Sequence, residues 1–337
     1  MKRHANIPIF IPHLGCPNQC VFCNQRSISG VQSFRAESVK EQIDDALLTI
    51  GEGVEAEIAF FGGSFTGIDR DLMISLLEIA YSYIECGRVV GIRCSTRPDY
   101  INGEILDILE KYGVKVIELG LQSSSEEVLF ATKRGHGFED EERACRLIVE
   151  RGITLVGQMM IGLPMATEES EIETADFIIG TGAKGARIYP TVVFKDTELC
   201  RMTYENKYKP LDEQEAIRRS ANVMRRFIDA GVDVIRVGLC ASENLSDEST
   251  YYAGPNHSAL GELVINEIYY RLIRELIVKE NIFESDFVKI LVSRGSLSKA
   301  IGQKRRNLIR LKQEFKTLDI KIAECDELSD YSIKTER

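Results

Sequence analysis

Cys16, Cys20 and Cys23 stand in the run Leu14-Gly15-Cys16-Pro17-Asn18-Gln19-Cys20-Val21-Phe22-Cys23-Asn24, a C-x3-C-x2-C spacing near the start of the chain. Thiolates this close in sequence can hold three corners of one metal cluster. A [4Fe–4S] cluster normally takes four cysteines, so a trio leaves one iron open to a ligand that is not protein. That points to a reactive cluster more than to a structural one. Structural zinc sites usually show two separated ligand pairs, and no second Cys or His pair follows in this chain.

Four further segments carry chemistry-bearing residues in order after the trio. In Phe60-Phe61-Gly62-Gly63-Ser64-Phe65-Thr66, two glycines let the backbone approach a ligand closely; a tight loop without ligand is the plain alternative. In Cys94-Ser95-Thr96-Arg97-Pro98-Asp99-Tyr100, Pro98 pushes Arg97 toward an extended conformation, and Arg97 either meets a ligand or holds Asp99. Gly120-Leu121-Gln122-Ser123 leads to Ala131-Thr132-Lys133-Arg134-Gly135-His136. The fixed fork of donors on an arginine matches two carboxylate oxygens, while His136 reads as a loop or packing residue. The last is Gly157-Gln158-Met159-Met160-Ile161-Gly162-Leu163-Pro164.

The elements that must position these residues alternate. Apolar runs at 7–14, 56–61, 89–95, 114–121, 154–161, 185–193 and 232–239 read as strands, with helical segments of 3.6-residue period at 38–50, 71–84, 102–112, 139–151, 168–179 and 212–230. Gly113, Gly152 and Gly231 follow helices as stop signals. This is a repeated βα unit, which either closes toward a barrel or opens as a doubly wound sheet; periodicity does not separate the two. The chemistry-bearing residues fall at strand C-terminal ends, where βα barrels keep their active residues. The chain has 337 residues, 44% hydrophobic and 28% charged, with a net charge of −10. No apolar stretch approaches the ~20 residues of a membrane span, and Met1-Lys2-Arg3-His4 runs into a strand-like segment without a signal peptide's apolar core. A cytoplasmic protein without membrane contact is expected. Of the nine cysteines, six are scattered singly and read as reduced thiols; Cys240, beside a strand end, is the one to watch on the substrate side.

The trio, with an aromatic residue just before its third cysteine, resembles the radical S-adenosylmethionine (SAM) superfamily. The resemblance implies a partial (βα)6 TIM-type barrel, a [4Fe–4S] cluster on Cys16, Cys20 and Cys23, and SAM bound at the open iron. An electron donor then allows SAM to be cleaved to methionine and a 5′-deoxyadenosyl radical, which takes a hydrogen atom from the substrate. It further implies cofactor contacts from Phe22 beside the adenine, from Gly62, Gly63 and Ser64 on the amino group, and from Ser95 on the ribose or methionine. Gln122 and Arg134 have the spacing of a cofactor-binding Gln/Arg pair in oxygen-independent coproporphyrinogen oxidase and its relatives. Gln158 lies in the adenine-binding segment, where some relatives carry an acid.

Ser95–Tyr100, Arg187-Ile188-Tyr189-Pro190-Thr191, Lys195-Asp196-Thr197-Glu198-Leu199 and Ala253-Gly254-Pro255-Asn256-His257 look like the branch that contains the catalytic subunit of the Elongator complex. The likeness runs from about Ile7 to Tyr270. That subunit also has an acetyltransferase-like domain, for which 337 residues leave no room, so its carboxymethylation of transfer RNA is not carried over. Between Arg294 and Lys316 stand eight Lys and Arg against the single acid Glu314, a cationic footprint in an acidic chain. The order strand, helix, Gly302-Gln303-Lys304-Arg305, helix, strand looks like a KH-type RNA-binding module, with Arg305 where the second loop glycine would be. A solvated cationic hairpin is the bland alternative.

The expected architecture is an α/β radical SAM core over 1–240, a connecting segment with a helix over 241–285, a small basic KH-like appendage over 286–325, and a tail over 326–337. The expected function is a radical SAM enzyme modifying transfer RNA or another RNA, with Lys304, Arg305, Arg306 and Arg310 on the phosphates. Two alternatives remain: a radical SAM enzyme acting on a small molecule such as a porphyrinogen, and an iron–sulfur RNA-binding or assembly factor without radical catalysis. Tyr189 and Tyr252 read as packing residues, with hydrogen-atom relay as the sharper option.

Overall fold

The structure, a computed structural model, describes residues 3–11, 14–16, 20–24, 33–239, 250–282 and 287–336. Cys240 lies outside the described residues. Two compact units emerge, Met1–Asp212 with Arg226–Asn256, and Glu213–Arg225 with His257–Arg337.

The first unit runs β1 (Arg3–Ile11), α1 (Val39–Thr49), β2 (Val54–Gly62), α2 (Arg70–Glu85), β3 (Gly91–Thr96), α3 (Gly103–Lys111), β4 (Val114–Gln122), α4 (Glu126–Ala131), α5 (Phe138–Glu150), β5 (Thr154–Ile161), α6 (Glu168–Gly180) and β6 (Gly185–Pro190). It continues through β7 (Val193–Phe194), α7 (Glu198–Tyr204), α8 (Glu213–Asp229, shared with the second unit), β8 (Asp233–Val237) and β9 (Tyr251–Ala253). Seven strands form one sheet in the order β1-β2-β3-β4-β5-β6-β8, each neighbouring pair parallel. The sheet is curled: the guanidinium of Arg187 on β6 lies 5.6 Å from the ring centre of Phe61 on β2. It is therefore a partial barrel, and the open doubly wound sheet is ruled out.

Alternation decides what each strand gives to which face. Ile7, Ile9 and Ile11 of β1 are buried, while His4, Asn6 and Pro8 on the opposite face are exposed. The helices answer with apolar stripes, as in α2, where Met73, Leu76, Leu77, Ala80 and Tyr83 are buried. Caps set the helix starts: Asp69 accepts from Leu72 N at 3.0 Å, and Asn102 from Ile105 N at 3.0 Å. Gly152 ends α5 with φ 71, a conformation other residues adopt only with strain.

The expected strand 185–193 is two strands. At Pro190 the chain leaves the sheet, Thr191 donating to Ile161 O from N (2.9 Å) and Oγ1 (2.7 Å), and Val193–Phe194 then pairs antiparallel with Tyr251–Ala253. Both Thr191 groups are thus satisfied by one carbonyl rather than by the ladder.

The second unit adds α9 (Leu260–Lys279), β10 (Phe287–Ser293), α10 (Leu297–Ile301), α11 (Arg306–Glu314), β11 (Asp319–Cys325) and β12 (Ile333–Glu336). Its sheet has the order β11-β10-β12, with β10 parallel to β11 and antiparallel to β12. Tyr269, Ile273 and Ile277 of α9 pack with Val288, Ile290, Val292, Leu308, Leu311 and Ile320. The strand–helix–loop–helix–strand order expected within 286–325 is present, and β12 within the supposed tail completes the sheet.

Candidate active site

The cysteine loop after β1 is moulded onto the Gly62-Gly63-Ser64 loop after β2. Gly63 N donates to Ile11 O (2.8 Å) and Ser64 N to Leu14 O (3.2 Å). A Cβ on Gly63 would collide with Leu14 O, and one on Gly15 with Ser64 O. The close approach these glycines permit is thus between two backbone segments of the chain itself. Ser64 is buried, its Oγ accepting from Arg97 N at 3.0 Å and sharing a hydrogen bond with Thr96 Oγ1 at 3.1 Å. The trio's support, the glycine loop and the end of β3 are one hydrogen-bonded assembly.

Two buried arginines face the thiols. Arg134 donates from Nη1 to Cys20 Sγ at 3.2 Å and from Nη2 to Gly120 O at 2.5 Å, and its Nε is buried without a hydrogen-bond partner. Arg97, extended at φ −95 and ψ 152, grips Asp99 through Nε and Nη2 at 2.9 Å each and reaches Arg134 O at 2.5 Å. Its Nη1 is likewise buried and unpartnered. Arg97 therefore does hold Asp99, and keeps one donor free. Burial pushes the Cys16 thiol up, while Arg97 and Arg134 pull it down. Gln122, at φ 74, brings its Nε2 to the same Gly120 that Arg134 grips, so the Gln122/Arg134 pair is assembled in space.

A buried donor without an acceptor costs about 1–3 kcal/mol, and two guanidinium N–H groups beside the trio call for an anion. Thiolates of a metal cluster, or the carboxylate of a bound amino-acid group, fit that demand. Among the described residues no three His, Cys, Asp or Glu converge as ligands of a single metal ion. Phe22 packs against Val21, Val193 and Leu199.

Beneath these groups the curled sheet carries a charge network that the sequence reading missed. Glu118 on β4, fully buried, accepts from Arg93 Nη1 (3.0 Å), Arg187 Nη2 (2.9 Å) and Gln158 Nε2 (3.0 Å). Arg93 is held from its other side by Glu57 (2.6 Å), which also meets His4 Nε2 (2.9 Å). Gln158 Nε2 reaches Ser95 Oγ at 3.4 Å, and Tyr189 follows Arg187 by two residues on the same face of β6. The signal was available: single charges inside otherwise apolar strands are seldom buried unless paired.

His136 and Glu141 form a second buried pair, His136 Nδ1 lying 3.9 Å from Glu141 Oε1. Burial, with help from Arg134, lowers the His136 pKa to about 4. Burial pushes the Glu141 carboxyl well above its ordinary range, and neither of its oxygens has a hydrogen-bond partner.

In the second unit, Gly302 (φ 78) is followed by Lys304 (φ 50) and Arg305 (φ 61) in left-handed conformation. Lys304, Arg305 and Arg306 are exposed and make no ion pair among the described residues. Arg310 differs: its Nη1 meets Glu267 at 2.5 Å, and its guanidinium lies 3.6 Å from the Tyr270 ring centre.

A family model described as "Radical SAM superfamily" matches residues 10–178, and one described as "Radical_SAM C-terminal domain" matches residues 183–270. "Uncharacterized protein MJ0486" of Methanocaldococcus jannaschii is 32% identical over 228 residues, 64% of this chain and 70% of that protein. A "tRNA uridine(34) acetyltransferase" of Methanocaldococcus infernus is 35% identical over 137 residues, 39% of this chain and 25% of that protein. The solved structure of an archaeal Elp3 from M. infernus superposes with TM-score 0.65 at 20% identity, covering 80% of this chain and 64% of that one. The chain thus spans under two thirds of the latter two proteins, and the last likeness is one of fold.

Proposed function

The chain belongs to the radical SAM superfamily, and on that premise we propose that it modifies transfer RNA or another structured RNA. Membership makes it an enzyme that uses a [4Fe–4S] cluster and SAM. In this reading Cys16, Cys20 and Cys23 hold the cluster. Arg134, with Arg97 behind it, takes the carboxylate of SAM; Gly62, Gly63, Ser64, Ser95, Gln122, Gln158 and Phe22 complete the cofactor's surroundings. Bound there, the cluster and SAM would supply radical hydrogen-atom abstraction from the substrate. The chain's residues would hold both groups at the C-terminal ends of the sheet's strands.

The observation that carries the choice of substrate is where the unpaired positive charge lies. Inside the barrel, Arg93 and Arg187 are matched by Glu57 and Glu118, so neither is left over for the carboxylates of a porphyrinogen. Lys304, Arg305 and Arg306, exposed and without an ion pair among the described residues, lie together on the Gly302–Arg306 loop and the start of α11, where they suit a phosphate backbone. The likeness to a tRNA uridine(34) acetyltransferase supports the same reading. Among the described residues no helix is long and apolar enough to cross a membrane.

The test is nucleoside mass spectrometry of RNA from cells with and without the gene. A nucleoside that disappears with the gene and returns on complementation with the wild type, but not with a Cys20→Ala variant, is expected. An unchanged nucleoside profile would reject RNA as substrate.

A further inference from the structure

The chain that leaves the sheet after β6 returns to two places on the rim of the barrel. The first is the cysteine loop. Val21, between Cys20 and Cys23, has both backbone groups taken: its N–H donates to Thr132 O (3.1 Å) and its carbonyl accepts from Leu199 N (2.8 Å). Leu199 lies in the first turn of α7, where N–H groups have no partner within the helix and can reach outward. The Val21 side chain is buried with Val193 and Leu199, and Phe22 and Tyr208 pack against the three. Thr132 stands just before Lys133 and Arg134, the arginine that donates to Cys20 Sγ.

The two segments that bracket Val21 are also joined to each other. Lys133, left-handed at φ 55, brings its Nζ to both oxygens of Glu198, at 2.7 and 2.6 Å. The second place is Gly162, in the segment read as taking the adenosine end of SAM. Its N–H donates to Glu171 (2.7 Å) and its carbonyl accepts from the Tyr208 hydroxyl (2.5 Å). Leu211 fills the space that a Cβ on Gly162 would need, its Cδ1 lying 2.6 Å from that position. One excursion, residues 193–211, thus grips the cysteine loop and the adenosine segment together.

We infer that Lys133, Glu198 and Tyr208 are positioning residues that tie the cysteine loop to the segment around Gly162, so that a nucleoside held at that segment steadies the cluster without touching iron. The three side chains act through Val21 and Gly162 rather than on the cofactor itself. This coupling presupposes the proposed placement of cluster and SAM, and it holds whatever the substrate is.

The probe is 5′-deoxyadenosine, which has the adenosine end of SAM but neither the amino nor the carboxylate group that could ligate iron. Anaerobically reconstituted protein is challenged with EDTA, and loss of the cluster's absorbance is timed with and without saturating nucleoside. Equilibrium dialysis measures nucleoside binding separately. The wild type is expected to lose iron about fivefold more slowly with the nucleoside bound, the low end of coupling between two sites. In Lys133→Met, Glu198→Gln and Tyr208→Phe that factor should fall below about twofold, a loss in the range of one partly exposed ion pair or one hydrogen bond. Lys133→Arg, which keeps the charge, should preserve it. A purely structural role would speed iron loss alike with and without the nucleoside, leaving the factor unchanged.

A wild type that binds 5′-deoxyadenosine yet loses iron at an unchanged rate overturns the inference without recourse to any variant. So does a factor that survives in Lys133→Met and Tyr208→Phe, because the nucleoside then shields the cluster directly. A factor lost in Lys133→Arg as well overturns the ion-pair link. Two further results locate the fault in the underlying reading and take the inference with it. Reconstituted wild type without iron removes the cluster from Cys16, Cys20 and Cys23; iron-loaded protein that does not bind the nucleoside removes the adenosine segment.

Discussion

Arg134 and Cys20 are 114 residues apart in the chain, yet Arg134 Nη1 lies 3.2 Å from Cys20 Sγ. The same guanidinium grips Gly120 O at the end of β4, and its Nε is buried without a partner. One side chain thus spans from a proposed cluster ligand to the rim of the barrel and still has a donor to give. Replacing it with Ala should leave iron content near the wild-type value, since Arg134 is not a ligand. SAM binding, followed by equilibrium dialysis of the reconstituted protein, should weaken by roughly one to two powers of ten, the size of a charge-assisted hydrogen bond. Unchanged binding would remove Arg134 from the proposed cofactor contacts.

The trio predicts iron. Anaerobically reconstituted protein should carry about four irons per chain, and Cys16→Ala, Cys20→Ala or Cys23→Ala should each lose most of them. Cys86, exposed, and Cys145, buried, serve as controls whose substitution leaves iron content unchanged. A full complement of iron in the triple variant would take the cluster away from this loop.

Glu118 predicts stability rather than binding. Glu118→Leu would strand Arg93 and Arg187, which are mostly buried, with one fewer carboxylate to face. Breaking a buried ion pair in this way costs about 3–5 kcal/mol, to be read from urea unfolding. A loss under about 1 kcal/mol, the range of exposed pairs, would mean that the network is open to water.

These residues also show why part of the site was legible in the sequence and part was not. The trio, Gly62-Gly63-Ser64 and the Gln122/Arg134 spacing are short segments at strand ends, and the βα alternation fixes where strand ends go. The split of the expected strand 185–193 depends on Thr191 finding Ile161 O, a tertiary contact that apolar periodicity does not carry. The Glu118 hub needs β4, β5 and β6 to curl until Arg187 faces Phe61; periodicity left open whether the sheet curled at all. Two arginines close in sequence and equally basic, Arg306 and Arg310, were read alike, yet one is exposed and the other lies on Tyr270 beside Glu267.

Glu141 gives a pH dependence with a definite sign. Burial raises its folded-state pKa well above the 4.5 it would otherwise have, so over the window above about 4.5 the folded state binds the proton more tightly than the unfolded chain does. Stability contributed by the protonated acid is full below that pH and is lost as pH rises toward the folded pKa, at up to about 1.4 kcal/mol per pH unit. His136, lowered from 6.5 to about 4, acts oppositely, adding stability as pH rises through that interval. Because the two side chains are in contact, the comparison is made in a His136→Asn background, which removes the histidine's own titration: there Glu141→Gln should gain on Glu141 steadily as pH increases above about 4.5. A constant difference across pH 5–8 would show that Glu141 is not held as the neutral acid.

The cationic loop predicts how RNA binding answers to salt. If Lys304, Arg305 and Arg306 sit on phosphates, each neutralised phosphate releases counterions, and log affinity falls linearly with log salt by about 0.7 to 0.9 per contact. Replacing the three with Gln should weaken binding of transfer RNA and flatten that slope by up to about two to three. The three side chains are exposed, so the fold should tolerate the change, and matching thermal unfolding curves check this. Arg310→Gln should behave differently, because its guanidinium is engaged with Glu267 and Tyr270: stability should drop while the salt slope stays nearly the same. A triple variant with wild-type affinity and slope would return the loop to a merely solvated cationic surface and leave RNA recognition without its proposed contact in the second unit.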